Sequence, residues 1–219
     1  MRFSNMVGLA FAALGLIGLL VLYRAGTPPP PPPSTAEEAA APATPTTVVL
    51  VRHAEKADDG TDDPPLTEAG RARAGELADA LARAGVDAVL ATPYRRTRAT
   101  AAPAAERFDA PITVVEVDDG GVDAHADAVA RRIVEAHAGG TVLVVGHSNT
   151  IPAIVGALGG EVPPIDEEEY DRLIVAILLP DGSMRVVESR YGAPSAAPTV
   201  ASRGQRTGLG RTARSPVAR

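Results

Sequence analysis

The sequence predicts an α/β protein, a three-layer α/β/α sandwich with a mostly parallel sheet and a C-terminal antiparallel hairpin. From residue 46 to residue 160, short β-branched and aliphatic runs alternate with segments of helical periodicity. This order typically builds parallel strands with helices on both faces of the sheet. Two further apolar runs then flank a Pro-Asp-Gly sequence at 180–182. Such a tripeptide is typical of the turn between two antiparallel strands.

Six segments are predicted as strands because they are rich in β-branched and aliphatic residues. The first, at 46–51, reads TTVVLV and is almost continuously apolar, as expected for a strand that is buried on both faces. The other predicted strands lie at 88–91, 112–117, 141–145, 173–179 and 184–189.

Four segments are predicted as helices because apolar residues recur at a spacing of three and four. The first begins after Thr67, whose hydroxyl can cap a helix, and ends before Gly85. The second starts at Pro93, a residue that is favoured in the first turn of a helix, and ends near Arg107. The last two are predicted at 122–137 and at about 149–158.

Charge and composition exclude several functional classes. The chain of 219 residues has 21 basic and 27 acidic side chains, and residues 46–191 hold 14 and 25 of them, a net charge near minus eleven. Such an acidic domain is unsuited to binding nucleic acid, whose affinity comes from clustered basic residues. The chain has no cysteine, which excludes a disulfide framework, a thiolate nucleophile and a cysteine zinc site.

The two ends of the chain differ in composition from the predicted domain at 46–192. Residues 1–5 form a short flank to the uncharged segment 6–23, which would be about 27 Å long as a helix and could span a bilayer. We predict an uncleaved membrane anchor, because bulky residues stand where a signal peptidase needs small ones. The alternatives are a cleaved signal segment and a buried core helix. A Pro- and Ala-rich linker at 24–45 and a disordered basic tail at 193–219 complete the chain.

An anchor or signal implies a location for the predicted domain. We expect it to lie outside the cytoplasm, held at the membrane by the N-terminal segment on the periplasmic or cell-surface side. Secretion after signal cleavage is the alternative.

Polar side chains follow three of the predicted strands. Arg52 and His53 follow the first strand, Arg96 lies shortly after the second, and His147 and Asn149 follow the fourth. The carboxyl ends of parallel strands meet at one edge of a sheet, where ligands bind in folds of this class. We therefore expect two histidines and at least two arginines to lie close together in an otherwise acidic domain.

Two imidazoles and two guanidiniums together favour the handling of phosphoryl groups. A guanidinium pairs with phosphate oxygens two at a time, and a neutral imidazole can attack phosphorus. The alternative for these arginines is a solvated helix face, and for each histidine a structural role. We assign His125 and His137 structural roles, and the alternative for Glu55 and Lys56 is that they are loop charges. A metal site is the weakest interpretation, because the His53 and Glu55 spacing of zinc deaminases needs a cysteine pair that this chain lacks.

Four segments resemble the histidine phosphatase superfamily, also called phosphoglycerate mutase-like, in its short branch-1 form. One contains the Arg-His signature of the family, with Ala54 where the usual residue is Gly. The resemblance extends from about Val48 to Tyr191. The four segments, in order, are VRHAEK at 51–56, PLTEAG at 65–70, TPYRRTRAT at 92–100 and VGHSN at 145–149.

The resemblance implies a role for each of these strand-end residues. His53 would be the nucleophile that becomes phosphorylated, and Arg52, Arg96 and His147 would form the phosphate pocket. Asn149 is expected to contact the substrate beyond the phosphate. The resemblance implies neither a metal ion nor any other cofactor.

The general acid is the point at which the sequence departs from the family. Members with a carboxylate directly after the second histidine have Asp there, and this chain has Ser148. Glu116, at the end of the third predicted strand, is the best candidate for the acid, and Asp118 or Asp119 is the next choice. Short members without a clear acid tend to act on phosphohistidine or on other good leaving groups.

These observations predict a metal-independent phosphatase that hydrolyses a phosphomonoester or a similar phosphate through a phosphohistidine intermediate. Its expected partners are a small phosphorylated substrate and, through the N-terminal segment, a membrane, and not nucleic acid. The alternatives are a phosphomutase of the same family and a non-catalytic module that binds phosphate or a phosphoprotein.

Overall fold

The computed structural model describes residues 44–117 and 119–195. The predicted flank and anchor at 1–23, most of the linker and the tail beyond 195 lie outside these residues. Within the described ranges, no helix is both long enough and apolar enough to cross a membrane.

Six strands and four helices alternate as the sequence predicted. The strands are β1 (Thr46–Arg52), β2 (Ala88–Ala91), β3 (Ile112–Val114), β4 (Thr141–Gly146), β5 (Arg172–Leu178) and β6 (Met184–Arg190). The helices are α1 (Glu68–Ala80), α2 (Arg95–Phe108), α3 (Gly121–Ala136) and α4 (Thr150–Ala157). The sheet order is β3-β2-β4-β1-β5-β6. Strands β1 to β4 pair in parallel, and β5 joins β1 and β6 through antiparallel pairs. The predicted mostly parallel sheet with its C-terminal hairpin is therefore confirmed.

Strand β1 is buried on both faces, which explains its continuous apolar run. Val48 and Leu50 pack into the core that includes residues of α3 and α4, and both are fully buried. Val49 and Val51 pack on the opposite face, with residues of α1 and α2. Burial of each such side chain stabilises the fold by about 1.5–3 kcal/mol. The helices therefore cover both faces of the sheet, and the three-layer arrangement is confirmed.

Three elements begin or end two or more residues away from the predicted positions. Helix α1 was predicted to end just before Gly85 but ends at Ala80. The third strand was predicted to reach Val117 but ends at Val114. The neighbouring strand β2 has only four residues and ends at Ala91. The carbonyl of Ala91 accepts from the N–H of Val115, and beyond this hydrogen bond β3 has no strand to pair with. Helix α2 begins at Arg95 and not at Pro93, because Tyr94 has an extended backbone at the N-cap position.

The C-terminal end of the domain extends past the predicted boundary at 192. The hydroxyl of Ser195 accepts hydrogen bonds from the backbone N–H groups of Tyr170 (2.7 Å) and Asp171 (3.0 Å). The carbonyl of Ala193 accepts from Arg73 Nη1 at 2.9 Å. Residues 193–195 were predicted to belong to a disordered tail, but these polar contacts hold them against the domain.

Candidate active site

The strand register brings the two predicted site histidines side by side. Arg52 at the end of β1 pairs with Gly146 at the end of β4, and the N–H of His53 donates to Gly146 at 2.9 Å. The next residue after each strand is therefore a histidine. The ring centroids of His53 and His147 are 5.4 Å apart, with an edge-on orientation.

His53 is held in one orientation by the backbone around it. Its side chain is 3% exposed, and Nδ1 lies 2.8 Å from the carbonyl oxygen of Ala54. A carbonyl can only accept, so Nδ1 carries the proton and Nε2 keeps its lone pair. The N–H of Ala54 donates to Thr100 Oγ1 at 2.9 Å, which ties this turn to α2. The last threonine of the TPYRRTRAT segment therefore supports the loop that orients His53.

Burial keeps His53 neutral. It lowers the pKa of His53 from its ordinary value of 6.5 to about 4, and the charges of Arg52, Arg96 and Lys56 add to this effect. The Ala54 hydrogen bond acts in the opposite direction, but it is outweighed. At neutral pH the Nε2 lone pair is thus available for nucleophilic attack without a separate base.

His147 is held by two threonines. Its Nε2 lies 3.0 Å from Thr92 Oγ1, and its backbone N–H donates to Thr150 Oγ1 at 2.8 Å. Thr150 approaches so closely that a Cβ on Gly146 would lie 2.6 Å from its hydroxyl oxygen, which explains the glycine before the histidine. Burial lowers the pKa of His147 to about 3, and the neighbouring His53 and Arg96 add to the effect.

Arg96 is the guanidinium that lines the cavity. It stacks on the ring of Tyr94, with Cζ 4.3 Å from the ring centroid, and Tyr94 in turn contacts the ring of His147. Asp63 lies 3.7 Å from Arg96 Nη1. The Nε–H of Arg96 is buried and has no acceptor among the described residues. Arg96 therefore retains hydrogen-bonding capacity for an anion.

Arg52 lies behind the cavity and does not line it. The side chain is 2% exposed and stacks on Tyr170 at 4.3 Å. Its Nη1 donates to the carbonyl oxygens of Asp166 (2.9 Å) and Glu167, and its Nη2 to the carboxylate of Glu167 at 2.8 Å. Arg52 therefore anchors the loop before β5 and adds positive charge next to His53.

The cavity at the strand ends has a volume of about 350 Å³. It brings together four of the predicted site residues, His53, Arg96, His147 and Asn149. Its lining has two cationic side chains against one carboxylate, together with histidine, hydroxyl and amide groups that can donate hydrogen bonds, so it suits a small anion. The other lining residues are Lys56, Tyr94, Val117, Val122, Ser148, Thr150 and Glu167.

Two of the predicted general acids, Glu116 and Asp119, do not line this cavity. The side chain of Glu116 is exposed, and the next residue, Val117, lines the cavity instead. The carbonyl of Glu116 accepts a hydrogen bond from the buried His125. Asp119 is exposed and outside the lining, and Asp118 lies outside the described residues.

Glu55, next to the signature, has a structural partner. Its carboxylate accepts from both Nε and Nη2 of Arg73, at 2.7–3.0 Å, and Arg73 is 4% exposed. A Cβ on Gly70 would lie 2.3 Å from the carbonyl oxygen of Glu55, so the glycine of the PLTEAG segment allows α1 to pack here. The possible reading of Glu55 as a free loop charge is wrong, because the buried guanidinium requires its charge.

Comparison with known proteins agrees with this geometry. Residues 48–119 match the family model of the histidine phosphatase superfamily (branch 1). Over this part of the chain the predicted resemblance to that superfamily is confirmed. Among curated proteins no sequence matches it.

Solved structures of phosphatases have a similar fold. A mycobacterial glucosyl-3-phosphoglycerate phosphatase in complex with VO3 is 18% identical, with a TM-score of 0.51 over 67% of this chain and 99% of its own. The protein histidine phosphatase SixA in complex with tungstate is 23% identical, with a TM-score of 0.51 over 66% and 96%. At these identities the comparison shows the fold alone.

Four residues of this candidate site were not predicted as site residues from the sequence. Lys56 was read as a possible loop charge, although it is the only lysine of the chain and directly follows the signature. Thr92 forms the hydrogen bond to His147, and it is the first residue of the TPYRRTRAT segment that resembles the family. Glu167 and Tyr170 had no local signal, because they reach Arg52 across more than a hundred residues of sequence.

No candidate metal centre is found in the part of the chain that the structure describes. Among the side chains in the two described ranges, no group of three or more His, Asp or Glu is arranged to hold a metal ion.

The lowered pKa values of the two histidines predict that the domain loses stability in mild acid. Unfolding returns each histidine to its ordinary pKa near 6.5, whereas the folded values are about 4 for His53 and about 3 for His147. Between pH 6.5 and 4 the unfolded chain binds more protons, so the free energy of unfolding falls as the pH falls. The loss should reach about 3 kcal/mol for His53 by pH 4.

Urea unfolding at several pH values measures this dependence. In a His53→Asn variant the decline between pH 6.5 and 4 should be smaller than in the wild type. Identical slopes in the two proteins would show that His53 is protonated equally in the folded and unfolded states.

Proposed function

We propose that this protein is a metal-independent phosphatase that hydrolyses a phosphate group from a small substrate through a phosphohistidine at His53. The observation that carries the proposal is the state of His53. Its Nδ1 proton is engaged by Ala54, its pKa is lowered to about 4 by burial, and the residue lines a cavity together with Arg96 and His147. The free Nε2 is thus a neutral nucleophile beside groups that can bind a phosphoryl oxygen.

The proposed reaction has two displacements at phosphorus. First, Nε2 of His53 attacks phosphorus, and the bond to the leaving oxygen breaks with its electron pair moving to that oxygen. Then water attacks the phosphohistidine, and the phosphorus–nitrogen bond breaks with its electron pair returning to Nε2. Arg96 and the charge of Arg52 stabilise the equatorial oxygens in both steps, which is the usual contribution of arginine to phosphoryl transfer.

A small, singly phosphorylated substrate suits the surroundings of the cavity. The loop before α1 carries Asp58, Asp59, Asp62 and Asp63 near the Arg96 side of the site. These carboxylates would repel a polyanion. The two proteins of similar fold are described as a glucosyl-3-phosphoglycerate phosphatase and a protein histidine phosphatase, which supports the reaction class by analogy.

Turnover of p-nitrophenyl phosphate by the full chain tests the proposal. We expect hydrolysis that continues in the presence of EDTA, and a phosphoenzyme after rapid quenching that is labile in acid and stable in base. Phosphate binding without hydrolysis of any phosphate ester would instead indicate the non-catalytic module. Phosphate transfer to a second substrate molecule in preference to water would indicate a mutase.

We also propose that residues 6–23 hold this phosphatase at a membrane, with the domain outside the cytoplasm. The support is the uncharged 18-residue run and the proline-rich segment that follows it. Fusion to a reporter that is active only outside the cytoplasm tests this location. A reporter that is active only in the cytoplasm would contradict it.

A further inference from the structure

Glu167 places a carboxylate in the cavity from a loop that the sequence did not associate with the site. One carboxylate oxygen, Oε2, accepts from Arg52 Nη2 at 2.8 Å. The other, Oε1, accepts from the hydroxyl of Ser148 at 2.6 Å. The Glu167 side chain is 74% exposed, and it lines the cavity with the two histidines. The carboxylate is thus held at both oxygens while remaining open to the solvent side of the site.

Hydrolysis of an ordinary phosphate ester needs a proton donor for the leaving oxygen, since an alkoxide is a poor leaving group. His147 is unsuited to this role, because burial lowers its pKa to about 3 and it carries no additional proton at neutral pH. Lys56 also lines the cavity, but an ammonium group is a much weaker acid than a carboxyl group. Among the described residues that line the cavity, Glu167 is the one carboxyl group.

We propose that Glu167 is the general acid and base of the reaction and that Ser148 is its positioning residue. This inference rests on the proposed function. In the first displacement the protonated carboxyl gives its proton to the leaving oxygen, which departs as an alcohol. In the second, the carboxylate takes a proton from the attacking water while the phosphorus–nitrogen bond breaks. The carboxyl group is then protonated again and ready for the next cycle.

The contacts of Glu167 hold its carboxyl group in place in both steps. Arg52 Nη2 and the hydroxyl of Ser148 each donate to one of its oxygens. Ser148 can keep its hydrogen bond whether or not the carboxyl carries the proton, because a hydroxyl both donates and accepts.

A Glu167→Gln variant tests the assignment through the dependence of rate on the leaving group. The probes are a series of substituted phenyl phosphates, from p-nitrophenyl to unsubstituted phenyl, and one alkyl phosphate. We measure the release of the first equivalent of alcohol, which reports the first displacement alone. The rate with p-nitrophenyl phosphate should change little, whereas the rate with the alkyl phosphate should fall about 100-fold or more. The phosphohistidine should also accumulate, because its hydrolysis loses the base.

Matched variants separate this role from a general loss of charge. Glu168→Gln, at the adjacent exposed position, should leave all rates unchanged. Ser148→Ala should show the same leaving-group dependence as Glu167→Gln but a smaller loss, and Ser148→Thr should restore most of the rate.

Three results would overturn the assignment. One is an equal fall for every leaving group, and another is a lower KM with unchanged kcat, which would mean that the charge of Glu167 only repels the substrate phosphate. The third is leaving-group dependence in Glu116→Gln instead. The proposed function is judged separately, because wild-type protein without any phosphohistidine would contradict the function whatever Glu167 does.

Discussion

Replacement of His53 with alanine is expected to reduce phosphatase turnover on the order of 10⁴-fold or more and to abolish the phosphoenzyme. The reason is that Nε2 of His53 is the proposed nucleophile, and loss of a nucleophile leaves only binding and electrostatic stabilisation of the transition state. Steady-state hydrolysis of p-nitrophenyl phosphate and acid-labile phosphate after quenching measure the two effects. Added imidazole should restore part of the turnover, since it can occupy the vacated space and attack phosphorus.

The matched control for this variant is His137→Ala. His137 follows α3 and does not line the cavity, so this variant should keep its turnover. His53→Ala should also keep its far-UV circular dichroism, because the side chain makes one hydrogen bond, to the adjacent residue. An acid-labile phosphoenzyme that persists in His53→Ala would place the nucleophile elsewhere.

Replacement of Glu55 with glutamine is expected to lower the free energy of unfolding by about 3–5 kcal/mol. Arg73 is 4% exposed, and its Nη1 also donates to the carbonyls of Tyr191 (3.3 Å) and Ala193 (2.9 Å). Burial by itself would lower the pKa of Arg73, but the hydrogen bonds and charge of Glu55 raise it. Without the Glu55 charge the buried guanidinium is uncompensated, and its hold on the C-terminal segment weakens.

Asp79→Asn is the control for the Glu55 variant. Asp79 pairs with Arg107, and both side chains are exposed, so the loss should stay below about 1 kcal/mol. Urea unfolding at pH 7 compares the two variants, and turnover per folded molecule should remain in both. Similar losses in the two variants would show that burial does not strengthen the Glu55 pair.

The site could be predicted in part because its chemistry follows the ends of local elements. The apolar run at β1 and the helical periodicity around it predict parallel strands, and parallel strands place their carboxyl ends together. Arg52, His53 and His147 could therefore be grouped before any contact was known. The roles of Arg52 and Arg96 within that group could not be separated. One lies behind the cavity and the other lines it, a difference that depends on the loop packed against each.

The third strand illustrates the same limit. Its apolar pattern continues to Val117, so the sequence predicts a longer strand with Glu116 at its end. Strand length depends on the partner, however, and β2 has only four residues. The chain leaves the sheet earlier than predicted, and Val117 rather than Glu116 lines the cavity.

The amino-acid sequence alone was sufficient to predict the three-layer fold and the placement of two histidines and two arginines at the strand ends. Both follow from side-chain periodicity and from the positions of strand ends, which are properties of neighbouring residues. Packing alone decided which carboxylate lies in the cavity. Glu167 meets Arg52 across 115 positions of sequence and Ser148 across 19. The periodicity of the sequence cannot predict these contacts. They form only because β5 pairs with β1, which places the loop before β5 at the ends of the parallel strands.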